Sequence, residues 1–351
     1  MKKILVVIPA RGGSKGIPRK NVRPLNGKPL IYYSINNALS LASSDLDVRV
    51  LVSSEDDEIL EYAKRFGAIA HKRPFDISID HATLDPVIYD AYISQNESYE
   101  LVVTMQPTSP LLKLKSLNQA IFKILNDHKT DTIISAVNDS HLKWNLESDK
   151  FSPLYENRVN RQFLPKEYKE TGGFLISRTD VITKDNRIGE NIDLYLLSNQ
   201  EAIDIDTFED WNLCEYYLKR KKILFNVSGY KEIGLGHVYN ALSVANEILN
   251  HEVVFLFDKK SELGFSVVKK LNYNCFLQTD SKIVKDIINL CPDIVINDCL
   301  NTDLDFINSL KESNLKVINF EDIGSGSLKA DLVINAMYNY ESKIENHFYG
   351  S

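Results

Sequence analysis

The chain has 351 residues, 44% of them hydrophobic and 25% charged, with a formal net charge of −7. That length exceeds one ordinary domain core and predicts two domains, while the acidic balance argues against general nucleic-acid binding. No apolar run is long enough to cross a bilayer, and the short stretch Ile4 to Ala10 runs too soon into charge for a signal peptide, so neither membrane nor export is expected. The four cysteines, Cys214, Cys275, Cys291 and Cys299, lack CxxC spacing. Free thiols in a reducing cytoplasm are the expected state.

In chain order, KKILVVIPA reads as a buried strand, 30–42 as a helix, 48–54 as a strand and 55–67 as a helix ending at Gly67. ELVVTMQPTSP is a strand entering a proline-bounded loop, 114–126 a helix and TIISAV a strand. Residues 138–170 read as a polar, irregular insertion, followed by strands at GGFLISR and EAIDID and a helix over 207–220. The pattern then restarts, with a strand at 222–228, a glycine turn IGLGH, a helix over 238–250, and EVVFLFD, DIVIND, KVINFED and DLVINA at βα spacing. This alternation predicts an α/β fold in two units, residues 1–220 and 221–351.

Charge is uneven along the chain. No acidic residue precedes Asp45, whereas Lys2, Lys3, Arg11, Lys15, Arg19, Lys20, Arg23 and Lys28 all do. Four of these cations fall in IPARGGSKGIPRKN, residues 8–21, directly after the first strand. Glycines there let backbone N–H groups approach phosphate oxygens, and the cations offset phosphate charge. The segment is neither a GxxxxGK[ST] nor a GxGxxG loop; the alternative is a solvated basic turn. In AIDIDTFEDW, Asp204 and Asp206 are two residues apart on an expected strand, hence on one face, as a pair suited to Mg²⁺ shared with phosphate. Thr207 to Asp210 also matches a capping box, leaving open a purely capping role for Asp206. Gln106, Thr108 and Ser109 offer compact polar groups at a strand end, and Arg73, which could reach a phosphate, and Asp80, a further carboxylate, lie in a segment that reads as a surface loop. Lys143, Arg158, Arg161, Lys166 and Lys169 give the insertion an anion-binding option beside plain solvation.

These segments, in this order and with RQFLPKEYKETGG, resemble the acylneuraminate cytidylyltransferases, the CMP-sialic acid synthetases and their relatives for legionaminic and pseudaminic acids. The resemblance spans residues 1 to about 220. It implies a Rossmann-like nucleotidyltransferase domain with a mixed, mostly parallel sheet, CTP as donor, Mg²⁺ as cofactor, a nine-carbon sugar acid as acceptor and a homodimer. Residue by residue it implies nucleotide binding by Arg11, Gly12, Gly13, Ser14, Lys15, Lys20, Asn21 and Arg73, and metal binding by Asp204 and Asp206. Substrate contacts would come from Gln106, Thr108, Ser109, Arg161 and Lys169, the last standing where an arginine is common. Arg11, Lys20 and Asp206 would act in catalysis. The second unit, through KILFNVSGYKEIGLGHVYNALSVANEI, resembles the first lobe of the hydrolases that remove UDP from a nucleotide sugar in pseudaminic acid synthesis, with His237 at the histidine of their GxGH motif. Only one such lobe is present, Tyr239 and Asn240 replace an expected basic residue, and the chain ends at Tyr349, Gly350 and Ser351 where a second lobe would begin. The expected reaction is CMP transfer from CTP to an anomeric hydroxyl. The alternatives are a nucleotide-sugar binding or scaffold protein without turnover, and a nucleotidyltransferase for a Kdo-type acceptor.

Overall fold

The computed structural model describes residues 1–79, 81–338 and 344–350, so Asp80 and Ser351 lie outside the described residues. The chain divides into two compact units, Met1–Leu218 and Lys219–Ser351.

The first unit contains β1 (Lys2–Pro9), β2 (Pro24–Leu25), β3 (Lys28–Pro29), α1 (Ile31–Leu39), β4 (Leu46–Ser54), α2 (Asp57–Arg65), β5 (Ile69–Lys72), α3 (Leu84–Ile93), β6 (Leu101–Thr104), α4 (Leu114–Asn126), β7 (Thr132–Asn138), β8 (Trp144–Glu147), β9 (Lys150–Pro153), β10 (Tyr168–Arg178), β11 (Ile192–Leu196) and α5 (Phe208–Lys219). Its main sheet has the order β11-β7-β10-β6-β1-β4-β5. β1 pairs in parallel with both β4 and β6, whereas β10 runs antiparallel to β6 and β7, so the sheet is mixed and mostly parallel.

The apolar run in β1 is explained by burial on both faces. Ile4, Val6 and Ile8 pack with residues of α1, α2 and α4, and Leu5 and Val7 pack on the opposite face with Ile88 and Ala91 of α3. From β1 the chain passes to β4 on one side and later returns to β6 on the other. That reversal opens a crevice outside the carboxyl ends of β1 and β6, where open α/β sheets hold ligands.

The structure departs from the sequence expectations at two segments. EAIDID is not a strand: Asp204 and Asp206 lie on a loop. Its hold on the loop after β6 is the hydrogen bond from Ile205 N to Thr108 O at 2.9 Å, which does not make a ladder. The alternation survives because Ile205 is fully buried. The 138–170 insertion is also more regular than its composition suggests, because β8 and β9 pair as an antiparallel hairpin. That hairpin region exposes Trp144, Leu146, Phe151, Leu154 and Phe163.

The second unit contains β12 (Lys222–Val227), α6 (Gly236–Glu247), β13 (Glu252–Phe257), α7 (Glu262–Lys270), β14 (Asn274–Leu277), α8 (Ile283–Asn289), β15 (Ile294–Asp298), α9 (Leu304–Glu312), β16 (Lys316–Phe320), β17 (Leu332–Asn335) and β18 (His347–Tyr349). The order is β14-β13-β12-β15-β16-β17-β18, all parallel. α6 and α7 cover one face, and α8 and α9 the other. Buried Asn226, Asn297 and Asn319 link three adjacent strands through amide hydrogen bonds of 2.9 and 2.8 Å.

Candidate active site

The segment after β1 must turn away from the sheet while keeping its backbone close to the Asp204–Asp206 loop. Gly16 makes that approach possible: a Cβ there would stand 2.4 Å from the carbonyl oxygen of Asp206. The next residue, Ile17, is fully buried in a small apolar cluster with Leu25, Leu30, Leu111, Ile205, Trp211 and Cys214. Burying Ile17 and Ile205 contributes roughly 1.5–3 kcal/mol each and fastens the cationic loop to the acidic one. Beyond it, Thr207 and Asp210 form a reciprocal capping box at the start of α5, with Thr207 N and Oγ1 donating to Asp210 Oδ2 at 2.9 and 2.8 Å and Asp210 N donating to Thr207 Oγ1 at 3.2 Å. The cap is therefore made by Thr207 and Asp210, and the Asp206 carboxylate turns to the cleft instead.

That cleft has a volume of about 570 Å³, within the usual range of small-molecule sites. Arg11, Ser14, Lys15, Lys20, Asn21, Arg73, Gln106, Thr108, Asp204 and Asp206 all line it. Asn21 closes the loop, its Nδ2 donating to Arg11 O at 2.9 Å. Lys20 Nζ donates to Ile205 O at 2.5 Å and lies 3.3 Å from Asp206 Oδ1. Arg73 is buried and donates to Ser53 O at 2.6 Å and Ser53 Oγ at 3.2 Å; burial pushes its pKa down from the ordinary arginine value.

The acidic side is built asymmetrically. Asp206 is exposed, whereas the carboxyl pKa of Asp204 is pushed above the ordinary range by burial, with the Asp206 charge adding to the effect. Asp204 Oδ1, Thr108 Oγ1 and Ser109 Oγ are buried without a well-formed hydrogen bond, although the Thr108 hydroxyl lies near enough to Asp204 to hold its pKa partly down. Such under-satisfied groups are costly, and three in one place indicate a site completed by something the protein does not itself supply. Gly172 keeps the space open, since a Cβ there would lie 3.1 Å from Ser109 Oγ and 3.2 Å from Asp204 Oδ1.

The cytidylyltransferase family model matches residues 5–204, which includes the cationic loop and reaches Asp204. The pseudaminic acid cytidylyltransferase of Campylobacter jejuni subsp. jejuni serotype O:2 is 32% identical over 239 residues, covering 64% of this chain and 97% of that protein. This chain belongs to the cytidylyltransferase family. The N-acylneuraminate cytidylyltransferase A of Danio rerio is 29% identical over 302 residues, covering 80% of this chain and 67% of that protein. Among solved structures, CMP:2-keto-3-deoxy-manno-octonic acid synthetase complexed with CTP matches 62% of this chain and 98% of that one, at 16% identity and a TM-score of 0.47.

Not every residue singled out from the sequence lines the cleft of this cytidylyltransferase. Gly12 and Gly13 are outside its lining: Gly12 N donates to Glu55 Oε1 at 2.6 Å, and the space where a Gly13 Cβ would stand is open. Ser109 is buried beside Gly172. Arg161 and Lys169 are exposed outside the cleft lining, on a one-turn 3₁₀ segment and on β10. Lys143 is held by Asp139 at 3.1 Å and Glu167 at 2.7 Å and lines a separate cavity of about 470 Å³ with His141. Sequence reasoning missed the apolar wall formed by Ile77, Ile79, Ala82, Leu84 and Val87, together with α3. Its signal was available, with Thr83 before the helix and Pro86 in the first turn.

In the second unit, His237 stands at the start of α6. Its Nδ1 lies 2.8 Å from Oδ1 of Asp298, which is fully buried, and Asn240 Nδ2 donates to Asp298 Oδ2 at 2.8 Å. The Asp298 hydrogen bond raises the His237 pKa above 6.5. A raised folded-state pKa gives stability that is present below the unfolded value and lost as pH rises through the folded one. His347, whose pKa burial lowers, has the opposite slope. The expected signature is thus a difference: wild type loses about 2–4 °C more of its unfolding midpoint between pH 6 and 8 than His237→Asn, measured by calorimetry. Equal slopes would contradict the pairing.

Proposed function

We propose that the first unit transfers CMP from CTP to the anomeric hydroxyl of a nine-carbon 2-keto sugar acid of the sialic, legionaminic or pseudaminic type, releasing pyrophosphate. One observation carries this reading: a single cleft at the sheet's switch point is lined by Arg11, Lys15 and Lys20 together with Asp204 and Asp206. The acceptor class is supported by the relatives, whose names specify pseudaminic acid and N-acylneuraminate.

Mg²⁺ is the proposed cofactor, and the donor set fits it. Asp204 Oδ1 is buried without a well-formed hydrogen bond, and Asp206 lines the same cleft. Among the described residues no group of three or more His, Cys, Asp or Glu is gathered for a metal. Two carboxylates with phosphate oxygens and water completing the shell is the arrangement this ion favours. When bound, it supplies phosphate charge neutralisation and lowers the pKa of a coordinated hydroxyl.

The acceptor oxygen attacks the α-phosphorus as the bond to the β-phosphate bridging oxygen breaks, the electron pair leaves with pyrophosphate, and the hydroxyl proton passes to solvent water. The protein's own contribution is positioning and charge. Arg11, Lys15 and Lys20 stabilise the departing phosphates, and Arg73, fixed on Ser53, adds a further cation to the cleft. Gln106 and Thr108 present polar groups to the base and sugar, and the apolar wall from Ile77 to Val87 limits water at the site. Ion pairing of Lys20 with Asp206 keeps the two loops in register before substrate enters.

The test is pyrophosphate release from CTP with Mg²⁺ and N-acetylneuraminic, legionaminic and pseudaminic acids supplied separately. Release with one of them is expected. Silence with all three, while CTP still binds, would overturn the acceptor class.

A further inference from the structure

Four cations crowd residues 11–20, and Arg11, Lys15 and Lys20 line the cleft while Arg19 lies outside its lining. Arg19 is engaged elsewhere: its guanidinium pairs with Asp56 Oδ2 at 2.5 Å and with Glu58 Oε2. Its backbone has φ 58, the left-handed region that residues other than glycine rarely adopt. This conformation aims the side chain at the corner where β4 meets α2. Asp56 is the N-cap of α2, with Oδ1 accepting from Glu58 N at 3.0 Å and Ile59 N at 3.1 Å, which leaves Oδ2 for Arg19.

The other end of the loop meets the same corner. Gly12 N donates to Glu55 Oε1 at 2.6 Å, and a Cβ on Gly12 would fall 2.4 Å from Asp56 Oδ2. Glu55, Asp56 and Glu58 thus hold residues 12 and 19 while the cleft-lining cations lie between and beside them.

We infer that Arg19 is a positioning residue for nucleotide binding: its pairs with Asp56 and Glu58, with the Gly12–Glu55 hydrogen bond, fasten both ends of the 11–19 segment to the β4–α2 corner, so that Arg11, Lys15 and Lys20 meet the phosphates as a preformed set. A loop already ordered loses less freedom when ligand arrives, so the latch acts on binding rather than on the chemical step. Because the pairs are partly exposed, salt weakens the latch.

This inference rests on the proposed use of a nucleoside triphosphate. Its test compares wild type, Arg19→Ala, Arg19→Lys and Glu58→Ala in the full chain, by steady-state kinetics and by direct titration with CTP and the other three nucleoside triphosphates. Arg19→Ala is expected to raise KM and Kd for CTP about five- to tenfold at low salt, with kcat within about twofold and an unchanged unfolding midpoint. Arg19→Lys should restore most of the loss, Glu58→Ala should show a smaller one, and the gap between wild type and Arg19→Ala should shrink in high salt. An unchanged affinity in Arg19→Ala overturns the latch, as does a fall in kcat and unfolding midpoint with KM unmoved. The two readings fail separately. Wild type binding a triphosphate other than CTP overturns the donor, and the latch is then judged by the same wild-type to variant ratio on that nucleotide.

Discussion

Asp204→Asn is expected to cut pyrophosphate release by about 10²–10³-fold while leaving the unfolding midpoint unchanged or about 2–4 °C higher. The opposite signs follow from the burial of this carboxyl. Its raised pKa means that its stabilising contribution is present below the ordinary carboxylate range and lost as pH rises through the raised value, so at neutral pH the ionised group is a cost to the fold. Asparagine removes the buried charge, and its amide can donate toward the under-satisfied hydroxyls of Thr108 or Ser109. What it cannot do is hold a cation. Asp206→Asn should lose turnover to a similar degree with no thermal change, because that group is exposed. Loss of both turnover and stability in Asp204→Asn would mean the carboxylate is structural. Near-normal turnover in Asp206→Asn would remove it from the metal site.

The second large effect is expected at Gly16. A Cβ 2.4 Å from a backbone oxygen of Asp206 cannot be relieved by a side-chain rotation, so Gly16→Ala must push the cationic and acidic loops apart. It also strains the packing of Ile17 on Ile205. A displacement near 1 Å between phosphate-binding and metal-binding groups costs about 10²-fold in kcat/KM for CTP, with a midpoint several degrees lower. Gly13→Ala is the control for stability: the space where its Cβ would stand is open, and its midpoint should match wild type. Similar stability losses at both positions would show that the loop, rather than its approach to Asp206, sets the effect. Enzyme kinetics and thermal melts on the pair decide this.

How far the sequence could be read depended on the range of the interactions. The cationic loop was legible because glycines, four cations and a preceding apolar strand are adjacent in the chain. The Asp204–Asp206 pair was legible as well, although for a partly mistaken reason. The expected strand is a loop, and the two-residue alternation comes from Ile205 packing against Ile17, 188 positions earlier in the numbering. Arg73 stands out only weakly in the sequence, in a segment that reads as a surface loop; what fixes its guanidinium is the carbonyl of Ser53, presented by a neighbouring strand end. The diversion of Arg19 was not readable at all. In sequence it is one more cation in a basic run, and its role depends on Asp56 and Glu58, 37 and 39 residues away. The apolar wall was missed because residues 72–83 read as a surface loop and no helix was read after them, although Thr83 and Pro86 mark its start.

The main fold followed from local pattern. The buried run in β1, the terminal Gly67 after α2, and the Thr207–Asp210 box before α5 are all short-range signals that the structure keeps. The antiparallel direction of β10 and the edge strands β11, β14 and β18 are not encoded so locally, since strand order is decided by which faces remain to be covered.

The bond of the nucleotide that breaks defines the reaction. The most direct measurement is mass analysis of the cytidine-containing product after the full chain is mixed with CTP, Mg²⁺ and each of the three nine-carbon sugar acids. The cleft geometry predicts CMP joined to one of the acids, with one pyrophosphate per product. Cytidine diphosphate with free phosphate, or CTP returned unchanged from all three mixtures, would contradict it.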